Sequence, residues 1–157
     1  MRRRVWAVIL WCLALLWMAL CFYLSWQTGE ETAGFSMWLA GVLMRLLAVV
    51  NIRPEMAAFH MALRRMAHLI VFFVAGGLFG SAFAVTFGDR LKWALRTFTG
   101  SMIVCVLCAM ASEIFKQWIP GRHLQWDELA LNLCGALLGV LLACAAGFLV
   151  RRIRKKA

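Results

Sequence analysis

The sequence predicts an all-α polytopic membrane bundle: four transmembrane helices, with an extra interfacial or re-entrant helix in the first outer segment. Three observations carry that expectation. The 157 residues are 64% hydrophobic and have a mean hydropathy of +0.83. Charged residues make up 15%, against about 25% in soluble domains. Four apolar runs reach the ~20 residues that a helix needs to cross hydrocarbon. Residues 1–157 are read as a single membrane domain, with no separate soluble unit.

The first run, Val5 to Leu24, follows Arg2-Arg3-Arg4 and so resembles a signal peptide. It is long enough to span, no A-x-A cleavage site follows it, and Cys21 follows Leu20 where a lipoprotein site needs a small residue. An uncleaved anchor is expected. The next apolar stretch, residues 35–50, is short for a span and is interrupted by Arg45. Asn51-Ile52-Arg53-Pro54 closes it, so an interfacial or re-entrant helix fits better. The remaining spans are expected at residues 66–87, 97–118 and 129–150.

Basic residues fix the expected orientation. Arg2 to Arg4, then Arg90, Lys92 and Arg96, then Arg151, Arg152, Arg154, Lys155 and Lys156 hold most of the 17 Lys and Arg residues. The positive-inside rule puts these segments, and both termini, on the cytoplasmic side of the membrane. The formal net charge of +10 does not point to nucleic acid, because the charges flank apolar spans and form no continuous basic face. Cys12, Cys21, Cys105, Cys108, Cys134 and Cys144 all lie in apolar runs. Cys105-x-x-Cys108 sits mid-span, where a redox thiolate lacks access, so these residues are read as packing.

This topology places the polar residues. His68 falls at the outer end of the second expected span, Glu113 ~8 Å inside the outer end of the third, and Asn132 one turn into the fourth. Three polar groups from three helices therefore share one depth, and ionisable residues inside spans are functional candidates by default. Glu113 and Gln117 are i,i+4 on one face, as are Arg64 and His68. A buried carboxylate needs partners; Arg64, Arg65, His68 and Arg122 are available. Pro120-Gly121-Arg122 reads as a tight turn delivering a guanidinium suited to carboxylate or phosphate. Asp127 stands where the last span needs an N-cap, and Glu128 adds charge at the favourable helix end. Gly135 and Gly139 form a small-x-x-x-small stripe with Asn132 on the same side. Trp26, Trp38, Trp118 and Trp126 read as an interfacial aromatic belt. His60 and His123 carry little signal. The spacing of His68, His123 and Glu113 matches no zinc motif, so neither metal nor cofactor is expected.

The pattern Glu113-x-x-x-Gln117-x-x-Pro120-Gly121-Arg122-x-x-x-x-Asp127-x-x-x-x-Asn132-x-x-Gly135-x-x-x-Gly139 resembles the C-terminal signature of the VanZ-like membrane proteins. Arg64-Arg65-Met66-Ala67-His68 is similar to that family's basic-residue and histidine motif, and Ser25-Trp26-Gln27-Thr28-Gly29 to its serine-containing outer segment. A departure is Leu69, directly after His68, where many relatives are expected to carry an aromatic. The resemblance implies a small bacterial protein of about four spans, from a family whose namesake is associated with resistance to the glycopeptide teicoplanin.

Two functional readings follow. In the first, an outer pocket formed by Arg64, Arg65, His68, Glu113, Gln117, Arg122, Asp127 and Asn132 binds a membrane-lipid headgroup, a cell-wall precursor or a lipophilic glycopeptide. In the second, an intramembrane enzyme uses Glu113 or His68 as general base on a lipid-linked substrate, with Arg122 stabilising developing charge. No serine or cysteine beside His68 nominates a nucleophile. The sequence leaves the oligomeric state open.

Overall fold

The computed structural model describes residues 2–26, 29–49, 51, 54–88 and 92–154. Among them there are five helices and no strand: α1 (Arg2–Ser25), α2 (Gly29–Val49), α3 (Met56–Phe87), α4 (Trp93–Lys116) and α5 (Trp126–Arg154). Four of these, all but α2, are long and apolar enough to cross a membrane, which makes the chain a multi-pass membrane protein. Arg53, Arg90, Lys155 and Lys156 of the charge pattern, and Gln27 and Thr28 of the first loop motif, lie outside the described residues.

Three of the four expected spans lie inside longer helices, while the span expected at 97–118 runs two residues past the end of α4 at Lys116; the difference is greatest for α3, which begins at Met56 rather than residue 66. Hydropathy marks where a helix meets lipid, whereas helix formation depends on local propensity. Met56 to Arg65 is rich in Ala, Met, Leu and Arg, all strong helix formers, so the helix continues past the apolar run. At 32 residues α3 is roughly 48 Å long, well beyond a ~30 Å hydrocarbon core. His68 therefore lies more than three turns into its helix rather than in the first. α2 also starts ahead of its apolar part, at Gly29 rather than Ser36. α2 ends at Val49, and Asn51 follows in the left-handed region at φ 65, its N–H donating to the Ala48 carbonyl at 3.1 Å.

α3 is the hub, packing against every other helix and most extensively against α5. The reason is steric. A Cβ on Gly135 would collide with the Leu69 carbonyl oxygen, and one on Gly139 with the Phe73 carbonyl oxygen and the Gly77 nitrogen. Only glycine lets the two backbones approach so closely, the usual basis of tight helix pairs in lipid. Gly139→Leu is expected to force the pair apart and destabilise the fold by about 1–3 kcal/mol. Thermal unfolding in detergent reads this directly, and an unchanged midpoint would contradict the close-packed arrangement.

The core runs down this contact through Phe72, Ala75, Phe79 and Ala136, joined by Ala14 and Met18 from α1 and Cys105 and Ala109 from α4. Trp11 meets Phe79 and Phe83 edge to face and donates its ring N–H to the Thr86 hydroxyl at 3.1 Å. Trp17 donates likewise to the Val71 carbonyl at 3.0 Å, so both indoles find the polar partner they need in lipid. Cys21 and Cys105 lie in this core as packing groups, and all six cysteines are free thiols. α2 packs mainly on α3; Ala40 is buried, and the Ser36 hydroxyl meets the His60 ring at 2.8 Å.

Both chain ends meet at one end of the bundle. Arg3 Nε donates to the Val85 carbonyl at 2.9 Å, and an Arg151 guanidinium nitrogen to the Ala84 carbonyl at 3.4 Å. These are carbonyls of the last turn of α3, where cations complement the helix dipole. The opposite end carries the loop 117–125 and the start of α3.

Candidate functional site

At this loop end, where α3, α4 and α5 converge, seven polar and charged groups meet. Glu113 of α4 is 1% exposed, Lys116 5%, and Glu128 and Asn132 of α5 4% and 1%. Ionised groups this deeply buried persist only when they are paired. The pairing converges on Lys116 and Glu128. The Lys116 ammonium donates to Glu113 Oε1 and, at 2.7 Å, to Glu128 Oε2. Glu128 also receives Arg64 on Oε1 at 3.0 Å and His68 Nε2 on Oε2 at 3.2 Å.

A second chain of contacts leads back to Glu113. His68 Nδ1 lies 3.1 Å from Asn132 Oδ1, and Asn132 Nδ2 donates to Glu113 Oε1 at 3.5 Å. The backbone N–H of Gln125 approaches Glu113 Oε2 at 3.5 Å, tying the loop to the cluster. Helix geometry makes this possible. Arg64, His68, Phe72, Gly76 and Gly80 follow one another at four-residue spacing on α3. Glu128, Asn132, Ala136 and Val140 do so on α5. Each ridge is small or apolar in the membrane and polar at the loop end, so the glycine contact that locks the helices also brings the polar ends together.

Arg122 stands at the edge of this cluster. Gly121, at φ +76, completes the turn after Pro120 in a conformation that favours glycine. Arg122 Nη1 then donates to the Ser25 carbonyl at the end of α1 at 2.7 Å. Burial and the neighbouring Arg64 guanidinium push Arg122 below its ordinary value, while Glu128 and Glu113 pull the other way. Arg64, Lys116 and Arg122 are three permanent cations facing the two carboxylates Glu113 and Glu128. Counted by these five groups alone, the cluster therefore holds excess positive charge. Beside it, Phe22, Ser25, Trp26, Phe115 and Ile119 line an apolar cleft of about 180 Å³.

The structure thus gathers Arg64, His68, Glu113, Arg122 and Asn132 of the sequence-nominated residues. Arg65, Gln117 and Asp127 are exposed and take no part in the ion pairs and hydrogen bonds described above. Asp127 is not the N-cap of the last helix, because α5 starts one residue earlier, at Trp126, and Asp127 lies in its first turn. Gln117 is not the helical partner of Glu113: α4 ends at Lys116, and the partner is Lys116 at i+3. Lys116 and Glu128 are the two central residues that the sequence reading left out of the site. Counting four residues back from Asn132 reaches Glu128, and the i,i+3 rule reaches Lys116 as readily as i,i+4 reaches Gln117.

His68, Glu113 and Glu128 each offer a ligand atom, all within 4.8 Å of one another, so this trio could hold a metal ion. However, the Lys116 ammonium already bonds to both carboxylates, and an ion would have to displace it. His123, considered with His68 and Glu113 for zinc, is exposed in the loop.

The family model described as VanZ/LLP1 matches residues 10–150, which is nearly the whole chain and includes every residue of the cluster. No curated protein and no solved structure matches it.

Proposed function

This chain belongs to the VanZ/LLP1 family, and on that premise we propose that the cluster at the loop end binds the anionic group of a membrane-anchored ligand. The ligand class is a lipid headgroup, a lipid-linked cell-wall precursor or a lipophilic glycopeptide. The family's association with teicoplanin resistance fits a ligand of this kind. In this reading the protein lies in the bacterial inner membrane with both termini in the cytoplasm, and the site faces outward.

The observation that carries the proposal is the charge imbalance. Arg122 and Arg64 repel each other across a half-buried space, and the two carboxylates already serve Lys116, Arg64 and His68. An incoming phosphate or carboxylate relieves that repulsion, and guanidinium is the side chain best matched to it. The cleft beside Ser25 would take an apolar portion of the same ligand.

Binding is favoured over catalysis by the state of the would-be bases. Both ring nitrogens of His68 face acceptor oxygens, and both oxygens of Glu113 receive protein donors. A general base needs a lone pair directed at the substrate. An enzyme reading would have to break these contacts first.

Dodecyl phosphate, titrated into the protein in neutral detergent, tests the proposal. The wild type is expected to bind it, and Arg122→Gln to weaken binding at least ~10-fold, the loss typical of one charged hydrogen bond. Asp127→Asn should leave it unchanged. Equal binding by wild type and Arg122→Gln would refute the site. An enzyme would instead lose turnover of its lipid-linked substrate on Glu113→Gln while ligand binding persisted.

A further inference from the structure

The opposite end of the bundle holds a second feature that the loop-end site does not use. A groove of about 1480 Å³ opens there on the side of the bundle, larger than the ~300–1,000 Å³ of ordinary ligand clefts. Small residues of α3 and α5, among them Ser81, Ala146 and Gly147, help to line it, with Trp6 and Trp93 contributing aromatic surface. Arg3, Arg151 and Arg152 also line it, and no carboxylate does so among the described residues.

A lateral groove in a membrane helix bundle cannot stay empty or fill with water; lipid chains fill it. The question is whether it selects a headgroup. Arg3 uses Nε and one terminal nitrogen on the carbonyls of Val85 and Thr86. Arg151 lies 3.8 Å from the centre of the Trp93 ring, which fixes its guanidinium plane at the groove. A guanidinium has five N–H donors, so Arg3 keeps donors beyond those two bonds, and Arg152 is exposed. The surrounding sequence reinforces the charge. In sequence, the three segments that carry these arginines and the α3–α4 loop hold eleven basic residues and one acidic residue, Asp89; the other six acidic residues belong to other segments.

We propose that this groove is a binding site for an anionic glycerophospholipid of the leaflet at the terminus-bearing end. Its acyl chains would lie against Trp6 and the small residues of α3 and α5, and its phosphate among Arg3, Arg151 and Arg152. Arginines flanking a span usually snorkel to many headgroups without selecting one. Here the fixed Arg151 plane and the groove below it give one lipid a defined seat. The site is independent of the loop-end cluster, so either can fail without the other.

The test is native mass spectrometry of the protein extracted from vesicles of equal phosphatidylglycerol and phosphatidylcholine. The wild type should retain phosphatidylglycerol over phosphatidylcholine. Near a membrane surface each arginine contributes about fivefold in such a preference, so Arg151→Gln with Arg152→Gln should remove most of it. Ala146→Trp, which fills the groove and leaves the charges, should cut the retained lipid itself. Arg96→Gln, an exposed cation outside the groove, should leave the adduct unchanged. Equal retention of the two lipids by the wild type would overturn the proposal. So would a preference that survives the double variant or falls equally with Arg96→Gln. Arg151→Lys keeps charge and stem if the double variant folds poorly; loss of the preference there, at wild-type yield, would still support a site set by guanidinium geometry.

Discussion

Lys116→Met is expected to destabilise the folded bundle by about 3–5 kcal/mol, the range for stranding a buried charge by removing its partner. Methionine keeps the length of the stem and a good helix propensity, so the loss reports the ammonium alone. Without it, Glu113 and Glu128 face each other in a site almost closed to water. Glu128 retains Arg64 and His68, whereas Glu113 keeps only long contacts to Asn132 and the Gln125 backbone. Adding Glu113→Gln should therefore recover part of the loss, because removing both members of a buried pair is cheaper than removing one. Melting of the two single variants and the double variant in detergent measures this non-additivity. A Lys116→Met protein that melts with the wild type would show that the cluster does not hold the three helices together.

Glu128→Gln should cost on the order of 3 kcal/mol, while Asp127→Asn should stay within about 0.5 kcal/mol. The contrast is informative because the two residues are adjacent, carry the same charge and both sit in the first turn of α5. Any benefit from the helix dipole is common to both. They differ in surroundings: Asp127 is exposed, and Glu128 receives Arg64, His68 and Lys116. Glutamine keeps the shape of Glu128 and loses its charge, leaving the half-buried Arg64 and the buried Lys116 short of a counter-ion. Equal losses from the two substitutions would mean that the charges act through the helix end rather than through the pairing described above.

The sequence reading located the spans because lipid contact demands long apolar runs. It placed their ends less well, because α3 continues for ten residues beyond the point at which apolarity stops. Orientation by charge brought His68, Glu113 and Asn132 to one depth, and in the structure they are joined in that chain. Depth alone does not set rotation about a helix axis. The information on rotation was also in the sequence, in the ridge from Arg64 through His68 to Gly76 and Gly80 and the ridge from Glu128 through Asn132 to Ala136. Gly135 and Gly139 lie one residue off that second ridge, so the stripe they form with Asn132 reaches the ridge only at Asn132. In sequence Lys116 is one more charge at a span boundary and Asp127 reads as a cap, because a residue there reads the same whether it points to water or inward. The turn at Pro120-Gly121 was legible because its backbone geometry is chemically specific. The contact of Arg122 with the end of α1 was not, since 97 residues separate it from Ser25.

The central claim is that the loop-end cluster holds an anionic, membrane-anchored ligand through Arg122. Native mass spectrometry of the protein extracted gently from its own membrane, compared with Arg122→Ala and Asp127→Ala at equal folded yield, tests it most directly. The account predicts a lipid-like anionic species carried by the wild type and by Asp127→Ala and absent from Arg122→Ala. A phospholipid seated in the groove at the other end should persist in all three. A wild type that carries no species dependent on Arg122 would contradict the claim and leave the cluster as a structural ion-pair network.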